Sequence, residues 1–540
     1  MNTSSNTQAY DTLFDGEYQV CLPLDREVNI PKKDPVRILN TIFERMDWTV
    51  FDKCYSRKGR AEYSPRILTK ILVYGYMRKI YSSREIEAAC RENIKFMYLL
   101  EGQGVPDHNT IARFRSKYLR EVKEQLMKEL VEILIKMGEI DMADVFIDGT
   151  KIEANANRYS FVWKKNVLRY RKQIEEKMRK ELPGLVKRAG VRFQMRETVK
   201  VHHLKKLRKR IGAKRKSEKI EFVKGVGHRK SALQKLWEKV EEWLKKLKEY
   251  NHSEHILGDR NSYSKTDHDA TFMRMKEDHM RNGQLKPGYN INVASCGEYI
   301  IGSYVSADRT DTKTLIPFME RLKPWGIQRV TVDAGYESEE NYCYFEQPDI
   351  KTRLLVKPSN YEQKKKKKYK QDISRRENMT YDAQSDTYVC ANGRQLSVSA
   401  VKHTKSASGF PIETTVYTCA SCQGCPLKEK CIRGKSKVPM AKRNKSLYVS
   451  KRFLQQRERT EVFMNTSLGK ILRTNRSIQA EGTFAMTKED MNFRRFLLRG
   501  NAKVDVEWTL LSMAYNILKL FHKATTKRLG THLVLPTNYQ

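Results

Sequence analysis

Two short apolar runs, Val145-Phe146-Ile147 and Arg329-Val330-Thr331-Val332, each end on an aspartate and a glycine-containing turn, Asp148-Gly149-Thr150-Lys151 and Asp333-Ala334-Gly335-Tyr336. Taken singly, either sequence is also an ordinary turn. Taken together they constrain the fold, because in a parallel α/β core two strand-end carboxylates converge on the sheet edge where such folds place their sites. At a separation of about 4 Å, two ionised carboxylates repel by about 4 kcal/mol at an effective dielectric near 20. Either one is protonated or a divalent cation sits between them. A hard cation such as Mg²⁺ suits an all-carboxylate site and leaves room for phosphate oxygens.

The charge balance points to the source of those phosphates. Lys plus Arg number 104 against 64 Asp plus Glu, a formal charge of +40 over 540 residues. Such an excess repels itself unless a polyanion is the normal partner, so nucleic acid leads and an anionic membrane surface trails. No run of about 18 apolar residues exists, and the polar start MNTSSNTQAYD lacks the basic and apolar regions of a secretion signal. A cytosolic protein that associates with the nucleoid is expected. Ten cysteines in such a compartment are poor disulfide candidates, and a cluster of them points to metal.

The chain divides by pattern into eight stretches. Residues 1–30 read as a flexible leader and 31–140 as a helical DNA-binding domain with Arg66, Lys79, Arg84, Arg91, Arg113, Arg115 and Lys117 scattered over helix-turn-helix-like elements. Residues 141–160 begin the α/β core. A basic, helix-forming insertion follows at 161–255, read as an antiparallel helical hairpin. It holds about half of the net charge, densest at KKLRKR, where Lys205, Lys206, Arg208, Lys209 and Arg210 are candidate phosphate contacts. A solvated coiled coil or dimerisation arm is the alternative. His202-His203 in this stretch reads as exposed rather than as a ligand pair. The core resumes at 256–357 with a β-hairpin, Tyr289–Val293 and Tyr299–Val305, and strands alternating with helices, which implies parallel strands. A second insertion, 358–440, opens on Lys364, Lys365 and Lys366 within five consecutive lysines, read as a flexible polyanion-contacting loop. Helices dominate 441–525, and 526–540 form a tail.

The second insertion also contains Cys419-x2-Cys422-x2-Cys425-x5-Cys431, with Cys390 upstream. That spacing can close around one tetrahedral Zn²⁺ with no open catalytic position. Five thiols compete for four places, with Cys390 or Cys419 the spare; free reduced thiols are the alternative. A structural zinc contributes roughly 10 kcal/mol or more to a segment with little core of its own.

A third carboxylate is wanted from a helix crossing the sheet edge. RTNRSIQAEGTFAMTKEDMNFRRFLLR (473–499) offers Glu481 and Glu489, with Arg473, Arg476, Lys488, Arg494 and Arg495 as basic neighbours able to hold DNA phosphate. Lys488 falls two turns after Glu481, on the same face, if one helix runs through. Composition alone does not choose between the two glutamates.

Several motifs carry a family resemblance over residues 26 to 522: VYGYMRKIYSSREIE, PDHNTIARFR, FIDGTKIEANANRYSF, TDHDATFMRMK leading into PGYNINVA, VTVDAGYES, and NRSIQAEGTFAMTKEDMNFRRFLLRG followed by LLSMAYNILKL. On these the chain resembles a bacterial insertion-sequence transposase of the DDE type, most of all the group whose type element is numbered eleven eighty-two, related to the IS four/five-type enzymes. The resemblance implies an RNase H-like core: a mixed sheet with flanking helices, interrupted by the basic helical and Cys-rich, partly β insertions and preceded by an all-α domain. It implies that Asp148, Asp333 and Glu481 are the triad that binds two Mg²⁺ (or Mn²⁺) ions, and it favours Glu481 over Glu489. Arg476 and Lys488 resemble the basic members of the family's Tyr-Arg-Glu-Lys signature. Here the chain departs from that pattern, with Arg476 five rather than four residues before the Glu and Arg473 where the Tyr is expected. The partners implied are double-stranded DNA, as terminal inverted repeats and target, and a second copy of the chain on paired ends. A metal-dependent nuclease that cuts without joining, and a non-catalytic DNA-binding protein derived from a transposase, are the rival readings.

Overall fold

The computed structural model describes residues 29–54, 63–223, 229–275, 285–434, 436, 438–530 and 532–534. Almost all of the expected leader and the last six residues of the tail lie outside the described residues.

The N-terminal helices are α1 (Pro35–Phe43), α2 (Pro65–Met77), α3 (Ser83–Glu92), α4 (Ile94–Leu99), α5 (His108–Arg113) and α6 (Leu119–Lys136). Asp34 and Asp107 cap α1 and α5 by accepting backbone N–H groups of the first turn. Ser82, which precedes α3, makes no such bond. The buried faces of these helices do not close on themselves: Val36, Leu39, Ile71, Leu72, Phe114 and Leu130 belong to the same core as the central sheet. Several basic residues expected on a DNA-facing surface are instead occupied internally. Arg115 is 4% exposed and donates to Tyr81 O and Ser83 Oγ, and Arg66 pairs with Glu44 and Glu101.

The chain then enters β1 (Asp144–Glu153) and β2 (Phe161–Trp163), and leaves the core as α7 (Lys164–Arg188), α8 (Val201–Ser217) and α9 (Ala232–Leu257), returning through β3 (Ser262–Ser264). The insertion is therefore a unit of three helices rather than a hairpin. The third is needed because the apolar stripe of α9 (Leu233, Leu236, Val240, Leu244, Leu247) is covered from both sides, by Ile174, Met178 and Leu182 of α7 and by Leu204, Leu207 and Ile211 of α8. β2 and β3 pair at its base.

The core resumes as β4 (Thr271–Arg274), β5 (Leu285–Cys296), β6 (Tyr299–Ser306), α10 (Leu315–Leu322), β7 (Arg329–Val332), α11 (Glu339–Phe345) and β8 (Arg353–Val356). The sheet runs β4-β5-β1-β7-β8 with β6 on β5. Only β1, β7 and β8 are parallel; β5 joins β1 antiparallel, as do β4 and β6 on β5. The core is thus the mixed sheet expected of it: strand–helix alternation pointed to the parallel part, β1, β7 and β8, and the hairpin to the antiparallel part. The two-residue turn of the hairpin, at Gly297 (φ 60°) and Glu298 (φ 72°), fixes antiparallel pairing.

The second insertion is ordered into α12 (Tyr361–Lys364), α13 (Lys367–Lys370), the five-stranded sheet β9 (Thr380–Asp382), β10 (Thr387–Val389), β11 (Gln395–Lys405), β12 (Pro411–Cys419) and β13 (Ser446–Val449), with α14 (Lys428–Cys431) between the last two strands. The lysine run is not a loop without structure. Tyr369 is buried beneath the Arg375 guanidinium (4.0 Å to the ring centroid), and Lys364 pairs with Glu461 at 2.6 Å, so the run is tied down at both ends. The chain closes with α15 (Lys451–Met464), α16 (Ser467–Arg476), α17 (Gly482–Ala485) and α18 (Asn501–Thr525). α18 is buried along most of its length (Val504, Trp508, Leu511, Tyr515) between the N-terminal helices and β6.

One buried ion pair fastens α18 to the entry of the sheet. Lys523 and Glu139, 1% and 2% exposed, meet at 2.7 Å, and Glu139 also accepts Tyr299 Oη–H and Gly530 N–H. Burial alone would raise the Glu139 pKa, but Lys523, Gly530 and Tyr299 together hold it below the ordinary glutamate value. Its stabilising contribution is therefore full above the unfolded pKa and is lost as pH falls through the depressed folded one. Replacing Lys523 by Met strands a buried charge, and chemical denaturation at neutral pH is expected to show a loss of about 3–5 kcal/mol.

Candidate active site

β1 and β7 run parallel with Ile147 opposite Val332. Asp333 follows the last residue of β7, but Asp148 is not at a strand end as the sequence suggested: β1 runs on to Glu153 because its pairing with β5 continues past Asp148. The register still sets the two aspartates side by side, about 4.8 Å apart in the sheet. Asp148 is 6% exposed. Asp333 caps the one-turn helix Ala334–Tyr336 by accepting the Gly335 N–H.

Glu481 arrives from above. α16 lies across β1 and β7, seated by Leu472 in a small core with Phe146, Leu355 and Met464. The helix continues through a π-turn at Ser477–Glu481, then α17, then a second π-turn at Met486–Asp490, and ends where Asn492 takes a positive φ (53°). Such widened turns recur at functional sites. Here the first ends on Glu481, whose carboxylate accepts Ser477 Oγ–H at 2.9 Å. The Arg476 guanidinium bridges two of the three acids, with Nη1 3.4 Å from Asp148 Oδ2 and Nη2 3.3 Å from Glu481 Oε1. Nη1 is buried without an aligned hydrogen bond, so its contact with Asp148 is one of charge. Both glutamates are exposed; Glu489, the other candidate, pairs with Arg494 and not with Arg476.

Tyr336 reports the same convergence from beneath the sheet. Its hydroxyl donates to Asn292 Oδ1 at 2.6 Å. Burial pushes its pKa well up, and the negative charges of Asp311, Asp148 and Asp333 push it further against the opposing Arg476. Asp311 is a residue that the sequence reading missed. An ideal Cβ on Gly149 would lie 2.7 Å from Asp311 Oδ1, and one on Gly335 2.9 Å from Asp333 Oδ1 and 3.2 Å from Asp311 Oδ2. A side chain at Gly149, within β1, would meet the Asp311 carboxylate, and one at Gly335 would meet those of Asp333 and Asp311. Only a general signal, an acid shortly after a strand, marked it in the sequence.

Among the described residues no three His, Cys, Asp or Glu side chains stand close enough together to hold a metal ion as they are placed. The donor chemistry fits a hard divalent cation all the same: carboxylates gathered at one edge, with Arg476 supplying the positive charge their proximity demands.

The basic candidates separate into different classes. Arg473 packs on Tyr361 (5.5 Å to the ring centroid) and donates to its hydroxyl at 3.2 Å. With Lys357 and Arg476 it lines a cleft of about 310 Å³ between β7, β8 and α16. Lys488 is 7% exposed, so it does not belong to an open basic face; the two π-turns break the simple two-turn spacing from Glu481. Arg494 is exposed, whereas Arg495 donates to the carbonyls of Ala154 and Ala156 and so staples this segment to the end of β1. On α8, Lys205, Lys206 and Lys209 are exposed, Arg208 pairs with Glu241, and Arg210 donates to Arg192 O. His202 is exposed. Lys365 lies over Tyr361 and Lys366 is exposed.

The five cysteines gather at one end of the β9–β13 sheet. Cys419, Cys422 and Cys431 are buried, and Cys390 packs against them. Burial, and Cys422 beside it, push the Cys419 thiol up to about 11. Burial also raises the Cys431 thiol, Lys445 opposes, and Cys390, Cys422 and Cys425 add to the rise. The Lys445 backbone N–H donates to Cys422 Sγ at 3.3 Å. These thiols fit a tetrahedral soft-metal site by chemistry.

The Arg476 bridge has a measurable consequence. In Arg476→Ala the carboxylates lose their built-in countercharge, so added Mg²⁺ is expected to raise the melting temperature of the variant by more than that of the wild type. Equal shifts would show that Arg476 does not neutralise the cluster.

Comparison with known families gives two matches. The family described as "Transposase DDE domain" matches residues 389–521, a span that includes Glu481, and the family described as "Transposase domain (DUF772)" matches residues 24–117. No curated protein and no solved structure matches the chain. Over these two segments the chain is similar to DDE transposases of the bacterial insertion-sequence kind.

Proposed function

We propose that this transposase binds the ends of its insertion sequence as a homodimer, hydrolyses a phosphodiester at each end, and joins the exposed 3′-hydroxyls to target DNA. Within the family it fits the group whose type element is numbered eleven eighty-two. The observation that carries the reading is the Arg476 guanidinium held between Asp148 and Glu481, beside Asp333 on the neighbouring strand.

Asp148, Asp333 and Glu481 would hold two Mg²⁺ (or Mn²⁺) ions. Bound there, the ions supply Lewis-acid activation of the attacking oxygen and charge neutralisation at the leaving one. In the first step a water oxygen bonds to phosphorus, its proton passes to solvent, and the 3′-oxygen leaves as a hydroxyl. In the second that hydroxyl attacks a target phosphodiester, forming one P–O bond as another breaks. The chain's own groups supply position and field. β1 and β7 fix the two aspartates, the π-turn presents Glu481, and Arg476 lies where its charge can pass from carboxylate to backbone phosphate. No protein nucleophile is required, and Tyr336, buried and bonded to Asn292, is not placed to serve as one.

The net charge of +40 and the exposed lysines of α8 support contact with double-stranded DNA beyond the reacting phosphate. Four of Cys390, Cys419, Cys422, Cys425 and Cys431 would bind one structural Zn²⁺. Elemental analysis is expected to find one zinc per chain, and Cys431→Ser to lose it and to destabilise the β9–β13 sheet.

The catalytic reading is tested with Asp148→Ala, Asp333→Ala and Glu481→Ala. Each is expected to abolish cleavage and strand transfer from a pre-cleaved end while end binding falls by less than about ten-fold, or about 1.4 kcal/mol. Cleavage without strand transfer by the wild type would assign a nuclease. Full activity in all three variants would remove the catalytic assignment.

A further inference from the structure

We propose that Asp311, pinned by Asn290, is a positioning residue of the catalytic centre: a fourth carboxylate that strengthens cation binding and fixes the spacing between the Asp148 and Asp333 turns. The inference rests on the reading of Asp148, Asp333 and Glu481 as cation ligands and adds a residue that this reading does not contain.

Asp311 opens a single helical turn, Asp311–Lys313, between β6 and α10. Its side chain and backbone are held by neighbours on β5. Oδ1 accepts Asn290 Nδ2–H at 2.6 Å, and its carbonyl lies 2.8 Å from the Thr314 hydroxyl, which is also 2.8 Å from Asn292 Oδ1. Asn292 in turn accepts the Tyr336 hydroxyl. This network seats the Asp311 carboxylate in the gap left by Gly149, the residue after Asp148, and against Gly335, which binds the Asp333 carboxylate. It forms no ion pair among the described residues, although it stands among other acids in a chain rich in Lys and Arg. A fixed negative charge kept free of local cations is suited to attracting a mobile one.

A second observation points the same way. Asn290 is 1% exposed, and its Oδ1 has no hydrogen-bond partner although its Nδ2 is bonded to Asp311. Buried polar atoms are nearly always satisfied, by protein or by water. An orphaned acceptor beside an acceptor-only carboxylate calls for a donor, and Mg²⁺ characteristically keeps several of its own waters. Asp311 and Asn290 are thus placed to hold the hydration shell of a cation whose direct ligands come from the triad.

Mn²⁺ binding to the full-length protein without DNA tests this, read by calorimetry and by the electron paramagnetic resonance signal of free Mn²⁺. Asp311→Asn keeps the shape and removes the charge. It is expected to bind Mn²⁺ about ten-fold more weakly, or about 1.4 kcal/mol, with a parallel rise in the Mg²⁺ concentration that half-saturates cleavage. Asp311→Glu is expected to recover part of the affinity. Asp311→Ser, which cannot crowd Gly149, takes the place of the Asn variant if that fails to fold. A folded Asp311 variant with wild-type Mn²⁺ affinity and Mg²⁺ dependence would overturn the inference. Asp148→Asn, measured alongside, separates the two readings. If it loses Mn²⁺ and Asp311→Asn does not, only the role of Asp311 fails; if it binds as the wild type does, the cation site itself fails.

Discussion

Like charges brought to one sheet edge must be neutralised, and the architecture of this chain is arranged around that requirement. Asp148 and Asp333 occupy adjacent positions because Ile147 and Val332 are in parallel register. Glu481 can join them only from a helix laid over the same strands, and the π-turn at its end turns the carboxylate toward Arg476. The guanidinium then balances two acids at once. Beneath the sheet, the glycines after each aspartate make room for Asp311. Moving any one of these pieces by a residue would reverse a side chain across the sheet or separate the acids beyond useful range.

The insertions solve a different problem, which is how to interrupt a small core twice without weakening it. Each brings apolar contacts of its own. The three-helix unit closes on the stripe of α9, and the β9–β13 sheet closes on Tyr388, Leu396, Tyr417 and its buried thiols. The chain leaves and re-enters at places already braced: β2 and β3 pair at the base of the first insertion, and Arg457 clamps Glu337, four residues past Asp333, from α15 just after the second. The N-terminal helices take the opposite course, sharing one core with the sheet and α18. Their position relative to the sheet is therefore fixed by packing.

Much of the catalytic edge was legible in the sequence because it is local. Apolar runs mark β1 and β7, although β1 continues past Asp148-Gly149 to Glu153 because β5, distant in sequence, pairs with it there; the hairpin of β5 and β6 follows from alternation and a glycine turn. The identity of the third acid was not legible from composition; Glu481 and Glu489 differ only in what lies across from them, Arg476 with Asp148 in one case and Arg494 in the other. Non-local partners also explain the errors. Arg115 read as part of a DNA-facing surface until its acceptors, Tyr81 O and Ser83 Oγ, are seen, and the bonds of the exposed Arg495 to Ala154 O and Ala156 O are equally invisible in the local sequence. The lysine run read as a loop because nothing local reveals that Tyr369 and Glu461 would anchor it. Asp311 was invisible for the same reason: its neighbours Gly149, Asn290 and Gly335 come from three separate strands and turns.

The central claim is that Asp148, Asp333 and Glu481 form one cation site. The most direct measurement is an anomalous difference map from crystals of the protein equilibrated with Mn²⁺. The account predicts density at the C-terminal edge of β1 and β7, with carboxylate oxygens of all three residues at about 2.1 Å and Arg476 displaced from Asp148. Density elsewhere, or none at this edge with Arg476 still bridging the acids at saturating Mn²⁺, would contradict it.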